Sequence, residues 1–194
     1  KSKRKSTSFE SLPKGAYVVK IMGVKEGTYP SGGACLRIAF DIAEGKYKDF
    51  YQAMFERNTN EDRQWPYDAV FNLNVPADNS QSYVWDNWNT FFADLEDSNS
   101  GFIFDGDLKK LKGKVIGGKF HNRQTEKDGN IYDHIVMKWT CIADDVRNNR
   151  AGKLPNDKLI GAGTRASGAS ASSSSDSDGF MDIPDGTVDE ELPF

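Results

Sequence analysis

The chain has 194 residues, of which 37% are hydrophobic, 28% are charged and 12% are aromatic. This length allows one folded domain with additional segments, or two small domains. No apolar run approaches the roughly 20 residues that span a bilayer, which excludes an ordinary transmembrane helix. No apolar segment follows the basic start either, so we expect no signal peptide and a cytoplasmic location.

The charge is distributed unevenly along the chain. Residues 1–150 carry 22 Lys and Arg against 21 Asp and Glu, whereas residues 151–194 carry 3 against 8. The net charge of −4 therefore reflects the C-terminal segment. The distribution of charge decides electrostatic attraction more than its total, so the first part of the chain remains able to bind an anionic partner.

Residues typical of catalytic or metal sites are sparse. Cys35 and Cys141 are too far apart in sequence for a zinc motif and too few for a disulfide framework. His121 and His134 lack a neighbouring ligand motif. The sequence contains no glycine-rich phosphate loop, nucleophile elbow or kinase signature. We therefore expect a protein that is not an enzyme and uses no metal or cofactor.

Composition divides the chain into four segments. Residues 1–11 form a short basic arm, either a frayed terminus or a segment that contacts phosphates. Residues 12–146 carry nearly all of the periodic apolar pattern and are expected to form one domain. Residues 147–178 are predicted to be a flexible linker, rich in serine towards its end. Residues 179–194 form an acidic tail that contains several hydrophobic residues.

Alternating hydrophobicity predicts three strands in the first part of the domain. The first covers Tyr17–Met22, and the second covers Leu36–Ile42, where apolar side chains alternate with Arg37, Ala39 and Asp41. A third strand is expected at Phe50–Phe55. Residues 56–81 are an insertion to which the pattern assigns no place, and its Trp65-Pro66-Tyr67 either packs on the domain or lines its groove.

The second part of the domain changes period and then returns to strands. Aromatic and leucine side chains at helical spacing predict a helix over Ser82–Glu96, with another helical turn at Asp107–Lys112. Strands follow at Lys114–Arg123 and Ile131–Ala143, joined through an Asp128-Gly129 turn. This order predicts a mainly β fold, a five-stranded OB-fold barrel with a helical insertion between strands 3 and 4.

Cationic and aromatic side chains on these strands suggest a surface for single-stranded nucleic acid. Alternate residues of a strand are about 6.6 Å apart, so a basic strand matches a phosphate chain. Aromatic faces stack bases at about 1–3 kcal/mol each. Gly117-Gly118 would allow a close backbone approach. The alternative is that the charges form a solvated face and the aromatic rings pack in the core. The candidate DNA-binding residues are Arg37, Tyr47, Tyr51, Phe55, Lys119, His121, Arg123 and Tyr132.

The C-terminal segment carries the most specific motif. After the serine-rich linker come Asp189, Glu190-Glu191, Leu192 and Pro193-Phe194. This arrangement resembles the tail of bacterial and phage single-stranded DNA-binding proteins, where acidic residues precede a hydrophobic residue, Pro and Phe. In such a tail the Phe fills an apolar pocket while the acids meet a basic rim. The resemblance implies that residues 189–194 bind partner proteins.

Motifs in the domain resemble phage-encoded OB-fold proteins of the same class. These motifs are Leu12–Tyr17, Leu36–Ile42 with the following Gly45–Lys48, and Leu111–Lys114. The body does not resemble the tetrameric bacterial housekeeping protein, so the oligomeric state stays open. The resemblance implies binding of single-stranded DNA without strong sequence preference in replication, recombination or repair, in the host-cell cytoplasm if the protein is phage-encoded. It also implies that the tail recruits replication or recombination proteins.

Two alternative functions remain open from the sequence. One is a phage structural or adaptor protein whose β-domain binds protein and whose tail only improves solubility. The other is an OB-fold protein that anneals single strands or binds RNA. Neither alternative involves catalysis.

Overall fold

The structure is a computed structural model, and it describes residues 11–160. Most of the basic arm, the last part of the linker and the whole acidic tail lie outside the described residues. The predictions for Asp189, Glu190, Glu191, Leu192, Pro193 and Phe194 therefore concern residues outside the structure. Within residues 11–160, none of the helices is long and apolar enough to cross a membrane.

Five strands form one antiparallel sheet in the order β3-β2-β1-β4-β5. The strands are β1 (Ala16–Thr28), β2 (Ala34–Ile42), β3 (Val70–Asn74), β4 (Val115–Lys127) and β5 (Asn130–Cys141). This confirms the prediction of a mainly β fold with five strands. The edge strands β3 and β5 approach each other. They form no hydrogen-bonded ladder in the described part of the chain, so the sheet is open along this seam.

Helices occupy the connections between strands. They are α1 (Phe50–Arg57), α2 (Ser82–Ser98) and α3 (Ala143–Arg147), with short 3-10 helices at Tyr67–Ala69 and Leu108–Leu111. The predicted helix in the second part of the domain is confirmed as α2, which buries Phe91, Phe92 and Leu95. The predicted helical turn before β4 is confirmed by the second 3-10 helix.

The predicted third strand at Phe50–Phe55 is wrong, because this segment forms helix α1. The buried carboxylate of Asp41 accepts hydrogen bonds from the backbone N–H groups of Tyr51 and Gln52, at 2.9 and 3.1 Å. These bonds satisfy donors at the beginning of the helix, where no local side chain caps it. The third strand lies instead at Val70–Asn74, inside the segment that the sequence pattern left without a place.

Aromatic side chains join α1 to the core of the sheet. A closed series of edge-to-face contacts, with ring centroids 5.1–6.2 Å apart, links six rings. Its members are Tyr17, Phe120, Phe40, Tyr51, Phe50 and Tyr47. Trp65 adds to this region, since its Nε1 donates a hydrogen bond of 3.2 Å to the carbonyl oxygen of Phe40. The rings therefore stabilise the position of the helix.

Residues beyond the expected domain end at 146 continue along the sheet. The backbone N–H of Lys158 donates to the carbonyl of Asn122, and the N–H of Gln124 donates to the carbonyl of Lys158. The Asp157 carboxylate accepts hydrogen bonds from Lys14 at 2.9 Å and from the N–H of Asn122 at 3.1 Å. We call residues 151–160 the C-terminal strap. The strap pairs with the edge of β4 that β1 leaves after Lys119.

Candidate nucleic-acid interface

A cleft of about 310 Å³ opens at the seam between the edge strands β3 and β5, with α2 beside it. Its size falls at the lower end of the range for small-ligand sites. Apolar lining comes from Phe71, Leu73 and Phe91. Its larger polar and amphipathic side chains are Asn72, Asn74, Asn87, Lys119, Lys138 and Trp139. The cleft thus combines cations, carboxamides and aromatic rings.

A β-bulge places consecutive residues of β5 in the cleft. Lys119 pairs with Trp139, and Phe120 pairs with Met137, so Lys138 is the extra residue on β5. A bulge locally breaks the alternation of side chains, which allows both Lys138 and Trp139 to line one space. The Lys138 ammonium lies 5.5 Å from the centre of the Trp139 ring. This distance is within the range of a cation–π contact.

Acidic and thiol groups adjoin the basic part of the cleft. Asp94 accepts a hydrogen bond of 2.7 Å from the hydroxyl of Thr140. Burial raises the pKa of Asp94, while that hydrogen bond and the charge of Lys119 act in the opposite direction. Burial also raises the pKa of the Cys141 thiol to about 11, so this cysteine is a thiol at neutral pH. Asp94 and Lys119 therefore influence each other electrostatically beside the cleft.

The β4–β5 hairpin and the 3-10 helix packed against it carry a second group of exposed and half-buried side chains. We call Tyr67, Arg123, Tyr132 and His134 the hairpin patch. Tyr67 and Tyr132 are among the most exposed aromatic residues, at 56% and 48%. Arg123 pairs with His134 in the hairpin register. The Tyr67 ring lies edge-on to His134, with centroids 6.3 Å apart.

A chain of hydrogen bonds fixes the hairpin patch to the segment before β3. His134 Nδ1 donates to the Asp68 carboxylate at 2.9 Å, and His134 Nε2 accepts from the Thr125 hydroxyl at 3.0 Å, in the tautomer that satisfies both contacts. Burial raises the pKa of Asp68, and the nearby His134 offsets part of this effect. The connection holds Tyr67, which adjoins Asp68 in sequence, against the hairpin.

Tyr29 contacts a residue that lines the cleft. Its hydroxyl donates a hydrogen bond of 2.8 Å to the side-chain carbonyl of Asn74. Burial raises the pKa of Tyr29. The 3-10 helix that carries Tyr67 packs against β5 and leads directly into β3, which lines the cleft. Arg37 stands opposite Asn72 in the β2–β3 register. The cleft and the hairpin patch therefore form neighbouring parts of one surface.

Four of the predicted DNA-binding residues belong to this surface. Lys119 lines the cleft. Arg37 adjoins the cleft on β2, while Arg123 and Tyr132 lie in the hairpin patch.

The predicted role of His121 as an outward cation is wrong. Its side chain is only 5% exposed, and Nδ1 donates to the carbonyl oxygen of Asn156 at 2.7 Å. Burial lowers the pKa of His121, which favours the neutral form. The sequence pattern does not indicate this burial, because Asn156 belongs to the C-terminal strap, and the strap lies within the predicted flexible linker.

The aromatic residues expected around a third strand do not lie on the surface formed by the cleft and the hairpin patch. Tyr51 is 2% exposed, so the prediction that it stacks bases is wrong. Tyr47 is half-buried and contacts Tyr17 and Phe50. Phe55 packs on Trp65 at 5.6 Å, with the Arg63 guanidinium 4.7 Å from its ring centre. These side chains pack on or near α1.

Gly117 and Gly118 serve packing within the protein. A Cβ on Gly117 would lie 2.7–2.8 Å from Cys141 and Val146, and one on Gly118 would lie 2.4 Å from the sulfur of Met137. The close approach expected from these glycines therefore involves the protein's own β5 and α3. It is not evidence for a bound phosphate backbone.

Four residues of the cleft are absent from the predicted site residues: Asn72, Asn74, Asn87 and Lys138. A signal existed for β3, because Phe71 and Leu73 alternate with Asn72 and Asn74. No comparable signal marks Lys138, since its place in the cleft depends on a bulge in the pairing of two strands.

Comparisons with known proteins add no further assignment. No protein-family model matches the chain, and no curated protein matches it significantly. Residues 11–160 contain no group of three or more His, Cys, Asp or Glu side chains arranged to hold a metal ion. The functional argument therefore depends on the cleft and the hairpin patch.

Proposed function

We propose that this protein binds single-stranded DNA through the cleft and the hairpin patch, without strong sequence preference, and that its sheet is a variant of the OB-fold. The strand order β3-β2-β1-β4-β5, with α2 between β3 and β4, supports the OB-fold part of this proposal. The observation that carries the function is the cleft itself, where Lys119 and Lys138 accompany Trp139.

The chemistry of this surface suits a single strand better than a duplex. Ammonium and guanidinium groups attract phosphates, and aromatic rings such as Trp139, Tyr67 and Tyr132 offer faces to unpaired bases. Bases in a duplex are already stacked on their neighbours and cannot lie on protein rings. The exposed fractions of Tyr67 and Tyr132 leave their faces accessible to a strand.

We further propose that the acidic tail recruits a replication or recombination protein. The support comes from the sequence, in which Glu190-Glu191 precedes Leu192 and Pro193-Phe194. A hydrophobic side chain flanked by acids can bind an apolar pocket with a basic rim. This division assigns DNA binding to residues 11–160 and partner binding to residues 179–194.

A fluorescence titration tests the DNA-binding proposal. Full-length protein is titrated with oligo-dT at two salt concentrations while tryptophan emission is followed. We expect quenching, because a base against Trp139 changes the environment of its ring, and we expect affinity to fall as salt rises because bound cations release counterions. Trp65 is only 8% exposed, so its contribution to quenching should be small.

The Trp139→Phe variant identifies the reporter in this titration. It should retain an aromatic face and measurable affinity by a separation assay, while most of the quenching disappears. Duplex DNA of the same length should bind more weakly than the single strand. Equal or tighter duplex binding would contradict the proposal, and tighter binding to oligo-rU would favour an RNA-binding function.

A further inference from the structure

We propose that the cleft seats one base of the bound strand and prefers a keto base, uracil, thymine or guanine. This inference rests on the proposed function and adds a base preference at a single subsite. It arises from the side chains that line the cleft, which include groups able to contact the edge of a base as well as its faces. The remainder of the surface, with rings and cations, has no such preference.

The aromatic lining of the cleft fits a planar ligand. Phe71 is half-buried and stacks on the buried Phe91, with an interplanar angle of 19° and centroids 6.1 Å apart, so Phe71 is the ring that a ligand can reach on this side. Trp139 contributes from β5. A volume of about 310 Å³ has room for one nucleotide unit but not for several stacked bases.

Hydrogen-bond donors predominate among the larger polar side chains of the cleft. Lys119 and Lys138 carry ammonium groups, which only donate. The side-chain carbonyl of Asn74 already accepts from the Tyr29 hydroxyl, which leaves its NH₂ group to donate to a ligand. A base edge with carbonyl oxygen acceptors therefore fits better than one with an exocyclic amine.

Two further carboxamides have capacity for a ligand. In the described part of the chain, the side chains of Asn72 and Asn87 make no hydrogen bond to another protein group, and both are exposed. Asn72 lies on β3 and Asn87 on α2, and both line the cleft. Carboxamides pair with base edges through one donor and one acceptor. These two side chains can therefore add affinity for a base edge, while the preference for a keto base comes from Lys119, Lys138 and Asn74.

A comparison of oligo-dU with oligo-dC tests the preference for a keto base. Both are pyrimidines on the same backbone, but uracil has a carbonyl at position 4 where cytosine has an amine. We expect full-length protein to bind oligo-dU at least about five-fold more tightly than oligo-dC of the same length at pH 7.5, following the discrimination that a well-formed base contact gives.

The Asn74→Asp variant tests the cleft, and Asn89→Asp provides a matched control. Asn74→Asp keeps an oxygen that accepts from the Tyr29 hydroxyl but removes the NH₂ donor, so the dU to dC ratio should fall towards one. Asn89 is exposed on α2 and does not line the cleft. Asn89→Asp adds the same negative charge without removing a donor from the cleft, and it should keep the wild-type ratio.

The outcomes separate this inference from the proposed function. Equal affinities of the wild-type protein for oligo-dU and oligo-dC would overturn the keto preference and leave single-strand binding intact. A preference that persists unchanged in Asn74→Asp would also overturn the assignment to the cleft. If neither oligonucleotide binds, the proposed function fails together with this inference.

Discussion

The buried carboxylate of Asp41 on β2 accepts a hydrogen bond of 2.9 Å from the backbone N–H of Tyr51, ten positions further along the chain. The same carboxylate accepts from the N–H groups of Ile42 and Gln52. A strand side chain thereby performs the task of an N-terminal cap for α1. The contact attaches the helix, and with it the series of aromatic rings, to the sheet.

We expect Asp41→Asn to destabilise the protein by about 1–3 kcal/mol, because the amide NH₂ that replaces one carboxylate oxygen cannot accept the third hydrogen bond. The free energy of unfolding, measured by urea denaturation, checks this. Asp49→Asn is a suitable control, since Asp49 is exposed and its side chain makes no cap hydrogen bond. Similar stabilities for the wild type and Asp41→Asn would show that the three bonds contribute little.

His121 should make stability depend on pH. Burial holds the pKa of His121 in the folded protein below the ordinary value near 6.5. At a pH between these two pKa values, the unfolded chain binds a proton that the folded protein does not. Stability from this group is present above about pH 6.5 and is lost as the pH falls through that window. His121→Asn keeps a donor for the Asn156 carbonyl and does not titrate.

The measurement for His121 is the free energy of unfolding at pH 7.5 and at pH 5.5 for both proteins. The loss of stability on acidification should be smaller in His121→Asn than in the wild type. If the free energy of unfolding depends on pH in the same way in both proteins, protonation of His121 does not destabilise the fold. The His121 ring would then not be buried in solution.

Much of the sheet could be predicted from period-two patterns of apolar residues in the sequence, although burial itself does not alternate strictly and is nearly continuous along β2. The prediction of a strand at residues 50–55 is wrong because the apolar residues of this segment suit both a strand and one face of a short helix. These residues are Phe50, Tyr51, Met54 and Phe55. The decision between the two depends on Asp41, which is distant in sequence. A single-sequence pattern does not contain that contact.

The candidate site was predictable only in part. Lys119, Arg123 and Tyr132 follow from charge and aromatic residues on strands, and the structure brings them to one surface. His121 could not be distinguished from them, because the strap that covers it carries no strand pattern of its own. Lys138 and Trp139 share the cleft through a bulge, whose position depends on the register between two strands.

The two lysines of the cleft should account for part of the salt dependence of DNA binding. We expect the double variant Lys119→Ala and Lys138→Ala to reduce the magnitude of the slope of log affinity against log salt by about 1.4, at roughly 0.7 per phosphate contact on a single strand. The double variant Lys109→Ala and Lys112→Ala removes the same charge from exposed positions outside the cleft. Equal slopes in the two double variants would argue against phosphate binding at the cleft.

Tyr132 should contribute to affinity by stacking. Tyr132→Ala is expected to weaken binding of oligo-dT by about 1–3 kcal/mol, which corresponds to roughly 5- to 150-fold. Trp85→Ala is the matched control, because Trp85 is 41% exposed and lies outside both the cleft and the hairpin patch. Unchanged affinity in Tyr132→Ala would exclude the hairpin patch as a stacking surface, provided that thermal unfolding shows an intact fold.

The acidic tail should compete with DNA for the basic surface. Residues 166–194 contain seven Asp and Glu and no Lys or Arg, so their deletion should tighten binding of oligo-dT, and the gain should shrink as salt rises. A full-length variant with these acids changed to Asn and Gln should show the same gain if charge is the cause. An affinity that is insensitive to both changes would contradict competition by the tail.

Phe194→Ala should separate the two functions of the chain. DNA affinity is expected to remain at the wild-type level, because the substitution removes no charge and lies outside the proposed DNA-binding residues. Co-purification of replication or recombination proteins with the wild type, but not with Phe194→Ala, would support partner recruitment by the tail. Retention of the same partners by Phe194→Ala would contradict it.

The pairing of the C-terminal strap with β4 has a consequence for self-association. From Asn122 onwards β1 no longer covers β4, and the backbone of Lys158 occupies that edge. A chain shortened at residue 150 would leave the N–H of Gln124 and the carbonyl of Asn122 facing solvent. Open strand edges of this kind invite pairing between molecules, so the strap protects the protein from edge-to-edge aggregation.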